Sequence, residues 1–482
     1  MSLADHPPGL KHLFFTEAGE RFGFYLMLAL FALYLNERMG WTEAQSLALF
    51  GNFLGAVYLS PFIGGMLADR YLGYVRSVII GAALMAGGYF VLALNKPSSL
   101  YAALGLLVLG NGFFKPSIAT LVGRLYAPGD PRRDSGFTIF YMGINIGALV
   151  APLVGEIVRQ RYGWRAAFAT GGGVLATSWA YFLITCHTLR AADHRPGRAA
   201  AHHKSAAPAP ALSPLERQRV VALVIMSTIV LLFWLAFQQS GSTLTFWARD
   251  CTDRTLRLLD LQLRPFEWTI PPGFFASVPA AFVIILSPLL AWGFGALRAR
   301  GREPSTPAKI TLGMLMTAGA YLVMVAASLA GGNHGRVSLL WLVSAYLVIS
   351  IGEVLISPMG LSMVTKLAPP RLAGLLMGLW FVSTSLGNKL VGVLGALWKP
   401  WPHHRFFSLL VATSLLAAGL LVSQHRRLRR AMPSTELPKL GELEAVPFSR
   451  PAGAPVAIPA GAPVAIPAGT NERPQANEVA AA

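Results

Sequence analysis

Hydrophobic residues in this chain fall in long unbroken stretches, not in stripes. Runs of about 20 apolar residues alternate with short connections that carry most of the charge. A helix that packs on a soluble core is apolar on one face only, whereas these runs are apolar nearly all round. About 20 residues is the length needed to cross a hydrocarbon core of roughly 30 Å at 1.5 Å per residue. Twelve spans are predicted: about 13–36, 43–67, 74–94, 99–122, 136–158 and 164–187, then about 220–248, 273–297, 308–330, 337–360, 370–396 and 404–424. The expected fold class is therefore an all-α integral membrane protein.

The polar stretches divide the chain. Residues 188–218 are rich in Pro, Ala and charge and read as a linker between two six-helix halves, 1–187 and 219–425. His202 and His203 lie in that linker, where an adjacent pair is expected to be solvated and not to hold a metal. Residues 426–482 read as a disordered Pro/Ala-rich tail in which PAGAPVAI occurs twice, at 451–458 and 459–466.

Composition sharpens this reading. Charged residues make up 13% of the chain and hydrophobic ones 54%, with mean hydropathy +0.52. A soluble domain carries about twice that share of charge. The net charge of +18 would suit a nucleic-acid face, but its placement argues against one. Arg70, Arg76, Arg124, Arg132, Arg133, Arg190, Arg217, Arg219, Arg298, Arg300, Arg302, Lys309, Arg426 and Arg427 all fall in alternate connections. With twelve spans they share one side, which the positive-inside rule makes cytoplasmic together with both termini and the linker. The connection at 249–272, on the other side, mixes both signs. Cys186 and Cys251 have no CxxC partner, so no disulfide scaffold or metal site is expected. Residues 1–12 lack the order of a cleavable signal peptide, and the first helix is expected to act as its own insertion signal.

Charge at membrane depth is costly and marks function. The first helix reads FFTEAGERFGFY, which places Glu17, Glu20 and Arg21 within one turn. Glu17 and Arg21 are four apart and can pair, with Glu20 pointing slightly aside. The fourth helix carries Lys115 in GNGFFKPSIA, and the tenth carries Glu353 in SIGEVLISP. Both lie too centrally to reach the interface easily, and they belong to opposite halves. A buried carboxylate holds its proton more firmly once a neighbouring cation leaves. A Lys115–Glu353 contact made in one conformation and broken in another would link protonation to conformation.

These residues resemble a known family. Glu17-x-x-Glu20-Arg21-Phe22, Lys115-Pro116, FYMGINIGALVAP (140–152) and GEVLISPMGLSMVTKLAPPRLAGLLMGLWF (352–381) are similar to motifs of the proton-dependent oligopeptide transporters. That POT or PTR branch belongs to the major facilitator superfamily, whose loop motif resembles GGMLADRYLGYVR (64–76), with Asp69 and Arg70. The resemblance runs from about residue 13 to 425 and implies two six-helix halves that alternate around a central cavity. It implies proton-coupled symport of di- and tripeptides, with Glu17, Glu20, Arg21, Lys115 and Glu353 in proton coupling. It places Arg21 and Lys115 near the peptide carboxylate, Asn145 at the peptide backbone, and Ser357 beside Glu353. Tyr25, Tyr58 and Trp380 match pocket aromatics, although lipid or core packing would equally suit the last two.

The departures from the family cluster. Gln238 stands where many bacterial members have an acidic residue, and Pro279 where the family often has an asparagine. Both fall where the positive end of a peptide would sit. Leu28 replaces a basic residue of the first helix, and Phe24 precedes Tyr25 where the family has a tyrosine pair. Another carboxylate-bearing or anionic metabolite is therefore an alternative cargo, and a peptide sensor without coupled transport is a second alternative. No Walker A motif, HExxH or Ser-His-Asp order stands out, so neither ATP coupling nor an enzyme is expected. Expected partners are a small peptide, protons and the lipid bilayer, with no nucleic acid and no organic cofactor. The chain is expected to act as a monomer in a bacterial inner membrane.

Overall fold

A computed structural model describes residues 6–127, 130, 132–193, 212–259, 265–332, 335–369 and 372–431. Most of the linker, including His202 and His203, and the repeat-bearing tail lie outside the described residues. In the first half, α1 is Gly9–Leu33, α2 Glu43–Leu67, α3 Tyr74–Ala93, α4 Pro97–Arg124 and α5 Arg132–Thr185. In the second, α6 is Pro214–Phe237, α7 Thr243–Asp250, α8 Val278–Ala299, α9 Thr306–Gly331, α10 Leu339–Leu367, α11 Ala373–Gly395 and α12 His403–Ser423. A short α13 covers His425–Ala431.

Local chemistry sets the ends. Thr42 and Gln45 form a reciprocal capping box at the start of α2, and Ser213 and Glu216 form another at the start of α6. Proline opens α4, α6, α8 and α9, where its missing N–H is no loss. Asp193, at the edge of the expected linker, accepts from the N–H groups of Tyr74 (2.9 Å) and Val75 (3.1 Å) and so caps α3. Helix α5 breaks at Gly163 (φ 82°, ψ 179°), a conformation open to glycine, and its two limbs each have the length of one crossing. With these limbs, the α6–α7 segment counted as one crossing and α11, the described helices agree with twelve crossings.

Four details differ from the sequence reading. The expected seventh span, 220–248, is not continuous: α6 and α7 are separated by a tight turn at Gln238–Gly241. Its Gly-Ser pair weakens helix continuity, and the carbonyls released there find other donors. The connection at 249–272 contains an antiparallel hairpin, Thr255–Leu259 with Pro265–Thr269. It also supplies Thr252–Asp253 to a short parallel pair with Val337–Ser338. The alternation in TLRLL and PFEWT is too brief to stand out beside the long apolar runs. Residues 426–431, counted with the tail, are helical because Leu428 (1% exposed) and Ala431 (0%) pack into the second half.

The halves meet along two seams, α2 with α11 and α5 with α8. The first is lined by small residues: a Cβ on Gly51 would stand 2.6 Å from the backbone N of Gly392. Such close approach is how helices gain packing in lipid, where no hydrophobic force draws them together. Ser385 Oγ donates to Gly55 O (2.6 Å) across the same seam, and Ser277 Oγ donates to Leu149 O (2.8 Å) across the other. At the end remote from the chain termini, Arg249 bridges the halves to Asn36 Oδ1 (2.7 Å) and Glu43 Oε1 (2.8 Å). That end is closed.

Candidate functional site

The first-helix charges form a compact buried group. Glu17, Glu20 and Arg21 are 3%, 2% and 3% exposed. Arg21 Nε lies 2.5 Å from Glu20 Oε2 and 3.3 Å from Glu17 Oε1. Glu20, expected to point slightly aside, makes the shorter contact. Both carboxylates are desolvated, and without water each converges on the Arg21 guanidinium. The group is not saturated, since Glu17 Oε2 and Arg21 Nη2 have no hydrogen-bond partner. The Arg21 guanidinium also stands over the Phe24 ring at 4.8 Å.

Lys115 extends this group from α4. Its Nζ sits 4.4 Å from the centre of the Tyr58 ring, a cation–π contact on α2. Phe24 touches both Tyr25 and Tyr58 edge-on, with centroids 5.4 Å and 6.4 Å apart. Tyr25 and Tyr58 therefore share one aromatic wall beside the cations. Among the described residues Lys115 and Glu353 form no ion pair, so the contact that would bridge the halves is not made in this conformation.

A pocket of about 590 Å³ lies between the halves. Tyr25, Asn145, Gln238 and Glu353 line it, together with Leu28 and Pro279. Six positions singled out in sequence, from α1, α5, α8, α10 and the α6–α7 turn, thus come to one cavity. Asn145 is oriented by donating to Tyr141 O (3.0 Å). The α6–α7 turn is fixed by Tyr321, whose hydroxyl donates to Ala236 O (2.5 Å), and by Tyr346, which donates to Ser240 O (3.1 Å). These hydroxyls satisfy carbonyls that the break releases, and so hold Gln238 at the pocket.

Two candidates are placed elsewhere. Trp380 is 3% exposed and packs over Gly360, between α11 and α10, away from the pocket lining. Ser357 sits one turn below Glu353, with its hydroxyl buried and unpartnered. One residue was missed. Tyr141 on α5 lies close enough to Glu353 and Tyr58 to share their electrostatic field. It precedes Asn145 by four residues and so lies on the same helix face, which was the available signal.

Two helical halves around a charged cavity, with seams that can close at one end, define a secondary transporter of the major facilitator fold. The model of the POT family matches residues 75–200 and 199–404. A peptide transporter, YePEPT, of Yersinia enterocolitica subsp. palearctica is 32% identical over 89% of this chain and 96% of its own length. A di-/tripeptide transporter of Lactococcus lactis subsp. cremoris is 30% identical, over 86% of this chain and 94% of its own. Among solved structures, a peptide transporter POT in complex with alafosfalin superimposes with a TM-score of 0.79. It is 30% identical and covers 90% of this chain and 97% of its own. The chain belongs to the POT family.

Proposed function

We propose that this chain is a proton-coupled symporter of di- and tripeptides that works by alternating access. One observation carries the reading: the cations Arg21 and Lys115 stand in one half, and Glu353, without an ion pair, lines the pocket from the other. An anionic substrate group fits the cation side, and Glu17, Glu20 and Glu353 exchange protons as the halves rock. Asn145 contacts the peptide backbone, while Tyr25, Tyr58 and Tyr141 form the aromatic wall. Ser357 and Trp380 support the α10–α11 side. Relatives with peptide and di-/tripeptide transport in their names support this cargo, as does one solved with sulfate, an anion.

The two helical halves act as the rocking bodies, the second running from Pro214 through Ala431, joined by the linker that precedes it. The basic connections at the termini end support a cytoplasmic assignment for that end, in a bacterial inner membrane. The protein works as a monomer and carries out no chemical conversion of its cargo.

Gln238 and Pro279 both line the pocket, and this favours one second reading. Neither can supply the charge that would meet a peptide's amino end, so a carboxylate-bearing cargo without a free amine would fit as well. The test is uptake of labelled dialanine into proteoliposomes with and without an inward proton gradient, beside an amine-blocked dialanine. Accumulation of dialanine only with the gradient supports the symporter. Accumulation of the blocked peptide alone supports the second reading. Binding without accumulation of either would point to a sensor and sink both.

A further inference from the structure

Behind the first-helix charges, inside the first half and apart from the cavity between the halves, lies a second, smaller pocket. Its walls are apolar, from Phe24, Phe53, Met85, Leu107 and neighbours, except at Glu20, Tyr89 and Asn111. Those three are 2%, 3% and 3% exposed. Asn111 Nδ2 donates to Val57 O at 2.8 Å, which fixes the amide orientation and leaves Oδ1 as the free end. That Oδ1 is buried without a partner. Tyr89 reaches the pocket because two glycines make room for its ring. A Cβ on Gly23 of α1 would stand 3.0 Å from it, and a Cβ on Gly171 of α5 would stand 3.2 Å away.

We infer that this pocket is a binding site for one water molecule, which donates to Asn111 Oδ1 and to the Glu20 carboxylate and accepts from the Tyr89 hydroxyl. The space suits a water-sized molecule and no peptide. Buried waters are held where two to four polar groups converge in an otherwise apolar wall, and three do so here. Both water hydrogens meet acceptors, and the tyrosine proton meets the water oxygen. Tyr89 and Asn111 are thus positioning residues that hold the water against Glu20 from the side away from the substrate. The other groups facing Glu20 are Arg21 and Glu17 on α1, Lys115 on α4 and Tyr58 on α2. The site matters for transport only on the symport reading above, but it can be tested without it.

The experiment is a structure of the purified full-length protein, and of two variants, at a resolution that shows ordered water. Tyr89→Phe keeps the ring and removes one hydroxyl; Asn111→Leu removes the acceptor. The parent is expected to show one water peak within hydrogen-bond distance of Asn111 Oδ1, Glu20 and the Tyr89 hydroxyl, and each variant to lose or displace it. Tyr89→Phe controls for any packing lost in Asn111→Leu through the Val57 bond. No peak in the parent, or a peak unmoved in the folded Tyr89→Phe protein, overturns the site. A peak in a protein that fails to accumulate dialanine would keep the water site and sink the symport reading instead.

Discussion

On the proposed symport reading, coupling turns on Glu353, because it faces the pocket with no ion pair among the described residues. Replacing it with glutamine keeps the shape and hydrogen bonding but ends titration. Glu353→Gln is expected to abolish gradient-driven accumulation while leaving exchange of labelled for unlabelled substrate intact. Counterflow and driven uptake measured on the same proteoliposomes check this, and unchanged driven uptake would remove Glu353 from the mechanism. A different carboxylate shows a purely structural role. Glu303, in the connection between α8 and α9, accepts from Arg298 Nε (2.6 Å) and Lys309 Nζ (2.6 Å). These hydrogen bonds, Arg298 first, hold its carboxyl down at about 2. A depressed folded value means the clamp contributes stability above the unfolded range near 4.5, and loses it as pH falls toward 2. Thermal unfolding of the parent should therefore weaken over that window more than that of Glu303→Gln. Identical pH profiles for the two proteins would refute the clamp.

At the scale of elements, the break between α6 and α7 distinguishes the second half. A helix interrupted at membrane depth needs donors for its freed carbonyls, and Tyr321 and Tyr346 bring them from α9 and α10. Tyr346→Phe removes one hydroxyl from an otherwise buried ring, with an expected loss of about 1 kcal/mol in stability. Substrate affinity should fall as well, because the turn that carries Gln238 and Ser240 into the pocket loosens. Melting temperature and binding isotherms test this; a variant with weaker melting but intact affinity would limit Tyr346 to scaffolding. Sequence had marked this span as one helix, because its composition is apolar on both sides of FQQSGST and the Gly-Ser pair is a weak signal by itself. The first-helix motif was legible for the opposite reason, since three charges within one turn of an apolar run are costly at membrane depth.

For the whole molecule, what matters is which end is closed. Arg249 gathers Asn36, Glu43 and Asp250 at the end remote from the termini, and it is the cation that ties α7 to the first half there. Alternating access requires that this latch open in the other state. Arg249→Ala is expected to shift the population toward opening at that end. A cysteine introduced at Ser240, which lines the pocket, should then react several-fold faster with a membrane-impermeant maleimide supplied from that side. The background of Cys186 and Cys251 is removed first. No change in rate would mean that the seams, and not the arginine, hold the end shut.

The sequence alone determined that the chain crosses a membrane about twelve times, because apolar length is a local property and lipid tolerates little else. It also singled out Glu17, Glu20, Arg21, Lys115 and Glu353, because charge at that depth is costly wherever it occurs. Tertiary structure decided what those charges do to one another: Glu20 takes the shorter contact with Arg21, Lys115 leans on Tyr58, and Glu353 stays apart. It also decided that Trp380 packs between helices while Tyr141 comes within the electrostatic reach of Glu353 and Tyr58. Hydropathy counts what a residue is, whereas these outcomes depend on how far one helix stands from the next and how it is rotated. Small residues such as Gly51 and Gly392 set that spacing, and they do so only once the two halves have met.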